Sequence, residues 1–298
     1  MAGPIQDHAR ARSTGGDGDG RKAVMTPRTR LIVAAVCVSL AVIAAWGVLG
    51  RHSPAEREPV EIRRALFDAI QPVTLSNCTL ERFGEAHDGG YLACGNLLDA
   101  VQAGYSYGIN GYDGWGCALS ARLGIPVHEY DCFNTSEPPC SAGDPRFHAE
   151  CVGPKAETRD GRRFDSITAQ VNRNGDTGRR LVMKVDVEGA EWDAFLATPE
   201  ATFANIDQLV VEFHRTHEER FLHTLKKLKR SFYVAHLHFN NHSCEAGLEP
   251  FPAWAYEVLF VNKRIGVPDP GGRPAAGVDP LDTPNNAHVP DCQAARPR

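Results

Sequence analysis

The sequence predicts an α/β fold, a three-layer sandwich with helices on both sides of a mostly parallel sheet and an antiparallel strand pair closing one end. Three observations predict it. Short apolar, β-branched runs alternate along the chain with stretches of helical periodicity, the pattern of buried parallel strands covered by helices. The clearest unit spans residues 181–197, LVMKVDVEGAEWDAFLA. There Leu181, Val182, Met183, Val185 and Val187 read as a buried strand, Gly189 marks a turn, and Trp192, Phe195 and Leu196 fall on one helix face. Finally, residues 231–239 and 255–261 alternate in polarity, which suits an antiparallel pair.

The chain has 298 residues, room for one large domain or two small ones. A hydrophobic content of 42% supports a packed core, and a net charge of −5 argues against a nucleic-acid partner. Residues 1–30 are polar and read as a disordered tail. Residues 31–50 carry no charge and are long enough to span a bilayer, with no A-x-A-like cleavage site near Ala44 and Ala45. The expectation is therefore an uncleaved membrane anchor. Basic residues flank it almost evenly, so charge alone hardly decides orientation. The cysteines help. Of nine, Cys37 lies in the apolar segment and eight remain, with no C-x-x-C pair. An even count without zinc spacing points to disulfides in an oxidising compartment, with the connectivity open. Sequons at Asn77, Asn134 and Asn241 add modest support. Together these predict a single-pass type II protein whose body is extracytoplasmic, in the Golgi or ER lumen if the source is eukaryotic.

Beyond the anchor, residues 51–76 read as a charged stem with a short helix near 62–70. Asp88-Gly89 reads as a hairpin turn between short strands. Residues 105–109 form a strand that runs into a glycine-rich loop, Gly108 to Gly116, and then a helix with Trp115, Ala118 and Leu119 inward. The loop is neither G-x-G-x-x-G nor a P-loop, so a phosphate cradle is poorly supported. Residues 125–131 form the next strand. At its end Asp131, rather than Glu129, is placed to accept two hydrogen bonds from a ribose diol. Residues 132–146 read as a loop, 147–152 as a third strand and 164–171 as a helix, while the charged stretches 159–163 and 172–180 receive no assignment. Residues 206–213 are a buried strand ending in Glu212-Phe213-His214, and 218–229 an amphipathic helix with Phe221, Leu225 and Leu228 inward. Residues 266–298 are rich in Pro, Gly, Ala and Asp and read as a disordered tail.

The motif KVDVEGAEW, with DGGYLAC (88–94), YSYGINGYDGW (105–115), FHAECVG (147–153), QLVVEFH (208–214) and YEVLFVNK (256–263) in that order, resembles the FkbM-type methyltransferases, and more closely the methyltransferase-like protein 24 branch. The resemblance covers residues 77–265. It implies a Rossmann-like class I methyltransferase sheet, S-adenosylmethionine as methyl donor, and an oxygen of a glycan, sugar or other small metabolite as acceptor. Gly108, Asn110 and Gly111 would meet the donor's amino-acid end and Asp131 its ribose, with Asp88, Gly89 and Gly90 near the mouth. Asp186 and His214, at strand ends, are the candidate catalytic bases. Asp186, Glu212 and His214 together are a candidate Mg²⁺ site. Two other readings stay open. A type II membrane glycosyltransferase would use Asp186-Val187-Glu188 as a loose metal motif, and a tethered binding module would keep the fold without the chemistry.

Overall fold

The alternating pattern resolves into a mixed α/β unit built on one seven-stranded sheet with helices on both faces. The computed structural model describes residues 57–272, 279 and 281–292. The tail expected over 1–30 and the anchor expected over 31–50 lie outside the described residues. Among the described residues no helix is long and apolar enough to cross a membrane.

Helix α1 (Pro59–Ala69) precedes a hairpin of β1 (Leu80–Phe83) and β2 (Tyr91–Cys94). Strand β3 (Ala103–Tyr107), helix α2 (Gly114–Leu123), β4 (Pro126–Tyr130) and β5 (Asp144–His148) build one half of the sheet. A small sheet of β6 (Cys151–Val152), β7 (Glu157–Arg159) and β8 (Arg162–Asp165) leads into α3 (Ile167–Arg173). Strand β9 (Leu181–Asp186), α4 (Glu191–Ala197), the single-turn α5 (Glu200–Phe203), β10 (Ile206–His214), α6 (Glu219–Ser231), β11 (Phe232–Phe239) and β12 (Ala255–Asn262) complete the unit. The main sheet runs β11-β12-β10-β9-β3-β4-β5. From β10 to β5 all pairings are parallel, whereas β12 is antiparallel to both β10 and β11. The expected closing pair is therefore present. The chain winds outward from β3 to β5 and returns at β9, so the strand order reverses between β3 and β9.

Two apolar layers hold the sheet. One face buries Tyr105, Met183, Val185, Val211 and Phe213 beneath Ile167 of α3, Trp192 and Phe195 of α4, and Phe221, Leu225 and Leu228 of α6. The other buries Val127, Val182, Val210 and Leu259 beneath Trp115 and Leu119 of α2 and Phe83, Tyr91 and Ala93 of the hairpin. Each strand thus sends alternate side chains to opposite layers. All nine residues of β10 are buried, including polar ones. Gln208 is tolerated because its amide exchanges two hydrogen bonds, 2.8 and 2.9 Å, with the backbone of Cys94. Asp207 is paired with Arg180 and Arg264, each at 2.5 Å.

Several expectations need correction. Residues 57–76 are not a stem: Ile62, Leu66 and Ile70 are fully buried, with Leu66 and Ile70 in the main core, and the folded unit begins at Arg57. Leu196 is 40% exposed, because α4 turns Glu191, Trp192, Ala194 and Phe195 inward and Leu196 falls outside that face. The third strand begins at Asp144 and ends at His148, and Phe164 lies on β8 rather than a helix. The unassigned stretch 159–163 is a hairpin. Asp160 and Gly161 both take positive φ, +51° and +76°, as a two-residue primed turn requires. By contrast Asp88-Gly89 belongs to a seven-residue connection, since Phe83 pairs with Tyr91.

All eight cysteines in the described residues are paired: Cys78–Cys94, Cys117–Cys140, Cys132–Cys151 and Cys244–Cys292. The last pins residues 281–292, so this part of the expected disordered tail is instead an ordered strap. The side-chain amide of Asn241 donates to the carbonyls of Asn286, Val289 and Pro290 at 3.0 to 3.4 Å. A glycan on that nitrogen is incompatible with this packing, which removes one of the three sequons. Cys292→Ser should free the strap and cost about 2–4 kcal/mol, the range for a loop of this size. Limited proteolysis and chemical unfolding read both effects. A strap as resistant as before, with unchanged stability, would contradict the assignment.

Candidate functional site

A cleft of about 530 Å³ opens at the carboxyl ends of β3, β4 and β9. It lies at the strand-order reversal, where open α/β sheets bind ligands. Gly108, Asn110 and Asp131 line it on one side, and Lys184, Asp186 and Glu188 on the other. Asp88 and Gly89 stand at its mouth, whereas Gly90 does not line it.

The glycine-rich loop is shaped by contact rather than by flexibility. Gly108 has φ +75°, and a Cβ there would collide with the carbonyl oxygen of Asp186. That close approach joins the end of β3 to the end of β9. Lys184 fixes the same junction. Its ammonium donates to the carbonyls of Gly108 at 3.0 Å and Tyr107 at 3.4 Å, and lies 3.5 Å from Asp186 Oδ2. Asp131 accepts from the backbone N–H of Asn110 at 2.8 Å, Phe133 at 2.7 Å and Asn134 at 3.0 Å. It therefore ties the glycine-rich loop to the turn after β4, while still bordering the cleft. Gly111 sits against the Asn134 amide and is not among the residues that line the cleft.

Glu129 faces the other way. Burial, then the charge and hydrogen bond of Asp113, raise its carboxyl to about 9. A raised carboxyl contributes stability that is complete below its unfolded value, 4.5, and is lost as pH rises through about 9. Glu129→Gln removes this titration and keeps a donor for Asp113. It should flatten the decline in stability and stabilise the protein by roughly 1–3 kcal/mol near pH 8. Unfolding curves at about pH 5 and about pH 8 test this. The same pH dependence in variant and parent would contradict it.

At the acceptor side, β9 and β10 pair with Asp186 opposite Glu212, and His214 follows two residues later on the same face. Donor atoms of Asp186, Glu212 and His214 all lie within 4.8 Å of one another, so the structure brings the three predicted residues together as a group able to hold a cation. Tyr91, from the hairpin, places its hydroxyl 3.1 Å from Asp186 Oδ2 and 3.2 Å from Glu212 Oε2. The amide of Asn240 donates to Glu212 Oε1 at 2.7 Å. Burial raises Glu212 well above the usual carboxylate range, and the charges of Asp186 and Glu257 add to it. Burial lowers His214, but the hydrogen bond and charge of Glu191, with Glu212 and Asp186, outweigh it and lift the imidazole to about 9. The surrounding carboxylates thus favour a positive charge on or beside the His214 imidazole.

Sequence reading passed over three members of this site. Lys184 signals itself as the one charged residue inside an apolar strand. Glu191 and Asp193 both sit in the first turn of α4, where acids are favoured, yet Glu191 is fully buried and binds His214, while Asp193 is exposed and pairs with Arg220. Tyr91 gave no signal, because nothing local shows that the hairpin folds over the end of β9. No family model, no curated protein and no solved structure matches the chain.

Proposed function

We propose that this chain is an S-adenosylmethionine-dependent methyltransferase of FkbM type, acting on a hydroxyl of a glycan, sugar or other small metabolite. The observation that carries the reading is the position of the cleft. Counted in chain order, the parallel strands stand 3-2-1-4-5, the doubly wound order, and the cleft opens at its switch point. This order, with its reversed closing pair, is compatible with the Rossmann-like sheet that the resemblance to class I methyltransferases implies. The cleft volume suits a nucleoside-sized ligand.

In this reading Gly108, Asn110 and Asp131 would hold the donor, and Asp186 would stand beside the acceptor hydroxyl. The acceptor hydroxyl approaches past Asp88 and Glu188. The oxygen would attack the methyl carbon, the sulfur–carbon bond would break with its electrons going to sulfur, and the hydroxyl proton would pass to Asp186 or, where that carboxylate holds an ion, to solvent. Lys184 and Gly108 hold donor loop and cluster in register, which is what an in-line transfer needs. The four disulfides favour an oxidising compartment. A type II anchor at residues 31–50 completes the proposal.

The test is a thermal-shift comparison on residues 57–298, the folded unit. S-adenosylmethionine and S-adenosylhomocysteine should stabilise it, by about 2.7 kcal/mol at a hundredfold excess over Kd. A nucleotide sugar should not. Stabilisation by the nucleotide sugar alone would transfer the reading to a glycosyltransferase.

A further inference from the structure

The cluster at the ends of β9 and β10 gathers the carboxylate oxygens of Asp186 and Glu212 around few donors, with Asn240 serving Glu212 Oε1. Tyr91 has one hydroxyl proton and faces two carboxylate oxygens, on Asp186 and Glu212, so it donates to one at a time. Lys184 approaches Asp186 through Oδ2, the same oxygen that Tyr91 meets. The other oxygen, Oδ1, is turned to His214 Nε2 at 3.8 Å. Two carboxylates side by side on neighbouring buried strands repel unless one of them holds a proton, the direction in which Glu212 is pushed, or a positive charge lies between them.

His214 is oriented as a ligand would be. Its Nδ1 lies 3.3 Å from Glu191 Oε1. Glu191 is itself fixed by the backbone N–H of His214 and of Gly189, both at 2.8 Å. A carboxylate behind Nδ1 assigns the ring proton to that nitrogen and presents Nε2 forward, the usual support for a metal-binding histidine. Among the described residues Nε2 makes no hydrogen bond, although the side chain is more than nine-tenths buried. It points instead at carboxylate oxygens of Glu188 at 3.5 Å, Asp186 at 3.8 Å and Glu212 at 4.0 Å. Glu188 stands on the open side. It is 83% exposed and takes φ +56°, a left-handed conformation that a non-glycine residue adopts only when its surroundings hold it.

We propose that Asp186, Glu212 and His214 form a divalent-cation site, with Glu188 as the fourth donor on the cleft side. Ligand atoms about 2.1 Å from an ion stand at most ~4.2 Å apart. The separations from Nε2 already lie within that limit, so the set needs only a small inward rotation of the carboxylates. Three carboxylates, one imidazole and no thiol form a hard, oxygen-rich site that suits Mn²⁺ or Mg²⁺, with the imidazole favouring Mn²⁺. The binding inference stands on this geometry alone, while its use in catalysis rests on the methyl-transfer reading above. An ion here would take the acceptor oxygen in its open position and lower the pKa of that hydroxyl, whose proton would pass to solvent as the methyl group arrives.

Paramagnetic resonance of Mn²⁺ tests the site on the full chain in detergent, stripped of metal with a chelator. Bound Mn²⁺ loses the sharp signal of the free ion. One equivalent should bind, and His214→Ala should weaken it at least tenfold. Glu191→Gln leaves every ligand in place and should still weaken binding roughly 10–100-fold, as loss of a supporting carboxylate does. Glu188→Gln, at an exposed position, gives a weaker site in a chain whose fold is not in question. No bound Mn²⁺, or binding that is the same in the His214 and Glu188 variants as in the parent, overturns the proposal. S-adenosylhomocysteine binding is measured on the same samples. Binding of that ligand without Mn²⁺ sinks the cation site alone, and Mn²⁺ without that ligand sinks the methyl-transfer reading alone.

Discussion

Asp186→Asn should lower turnover by on the order of 10²–10⁴, with donor affinity little changed. Asparagine keeps the shape of the side chain and a hydrogen bond for Tyr91, but removes the charge that faces His214 Nε2 and lies 3.5 Å from the Lys184 ammonium. The variant should also lower the pKa of His214, since Asp186 is one of the charges that raise it. NMR titration of the imidazole and steady-state kinetics with a hydroxyl acceptor read the two effects. A chelator then separates roles: it should abolish parent activity if Asp186 holds an ion and leave it intact if Asp186 acts only as a base. Normal turnover per folded molecule would remove Asp186 from the chemistry.

Asp131→Ala should weaken donor binding by roughly 1.5–3 kcal/mol, the range for hydrogen bonds to a charged group. The structure gives this loss a second origin. The carboxylate gathers three backbone N–H groups, so the variant also unties Asn110 from the turn after β4. Asp131→Asn tests the distinction, because one amide oxygen can still serve part of that network but offers a ribose diol a single acceptor. Calorimetric titration with S-adenosylhomocysteine is the readout. Unchanged affinity in a folded Asp131→Ala chain would take Asp131 out of the donor site.

What the sequence made legible follows from what is local. The 181–186 and β10 strands are apolar enough, and the α6 helix periodic enough, to be read directly, and each is buried as expected. Asp186, Glu212 and His214 could be brought together from pattern alone, because parallel strands in register carry their ends to one edge. The β7–β8 hairpin stays hidden because three arginines and two acids in its strands mask its alternation, although Asp160-Gly161 is a readable turn. The ordering of residues 281–292 was not readable at all. It depends on Cys244 meeting Cys292, and on Asn285 donating to Glu257 at 2.7 Å, contacts that no local window contains. Tyr91 and Glu191 were missed for the same reason: each acts through a partner far away in the chain.

The central claim is that one cleft, between the Gly108 loop, the end of β4 and the end of β9, binds the methyl donor. Hydrogen exchange on residues 57–298, with and without S-adenosylhomocysteine, tests it most directly. Protection should appear together in residues 107–112, 130–134 and 184–190, and the β11–β12 pair should be unaffected. Binding without protection in those three segments, or protection confined to another surface, would contradict the account.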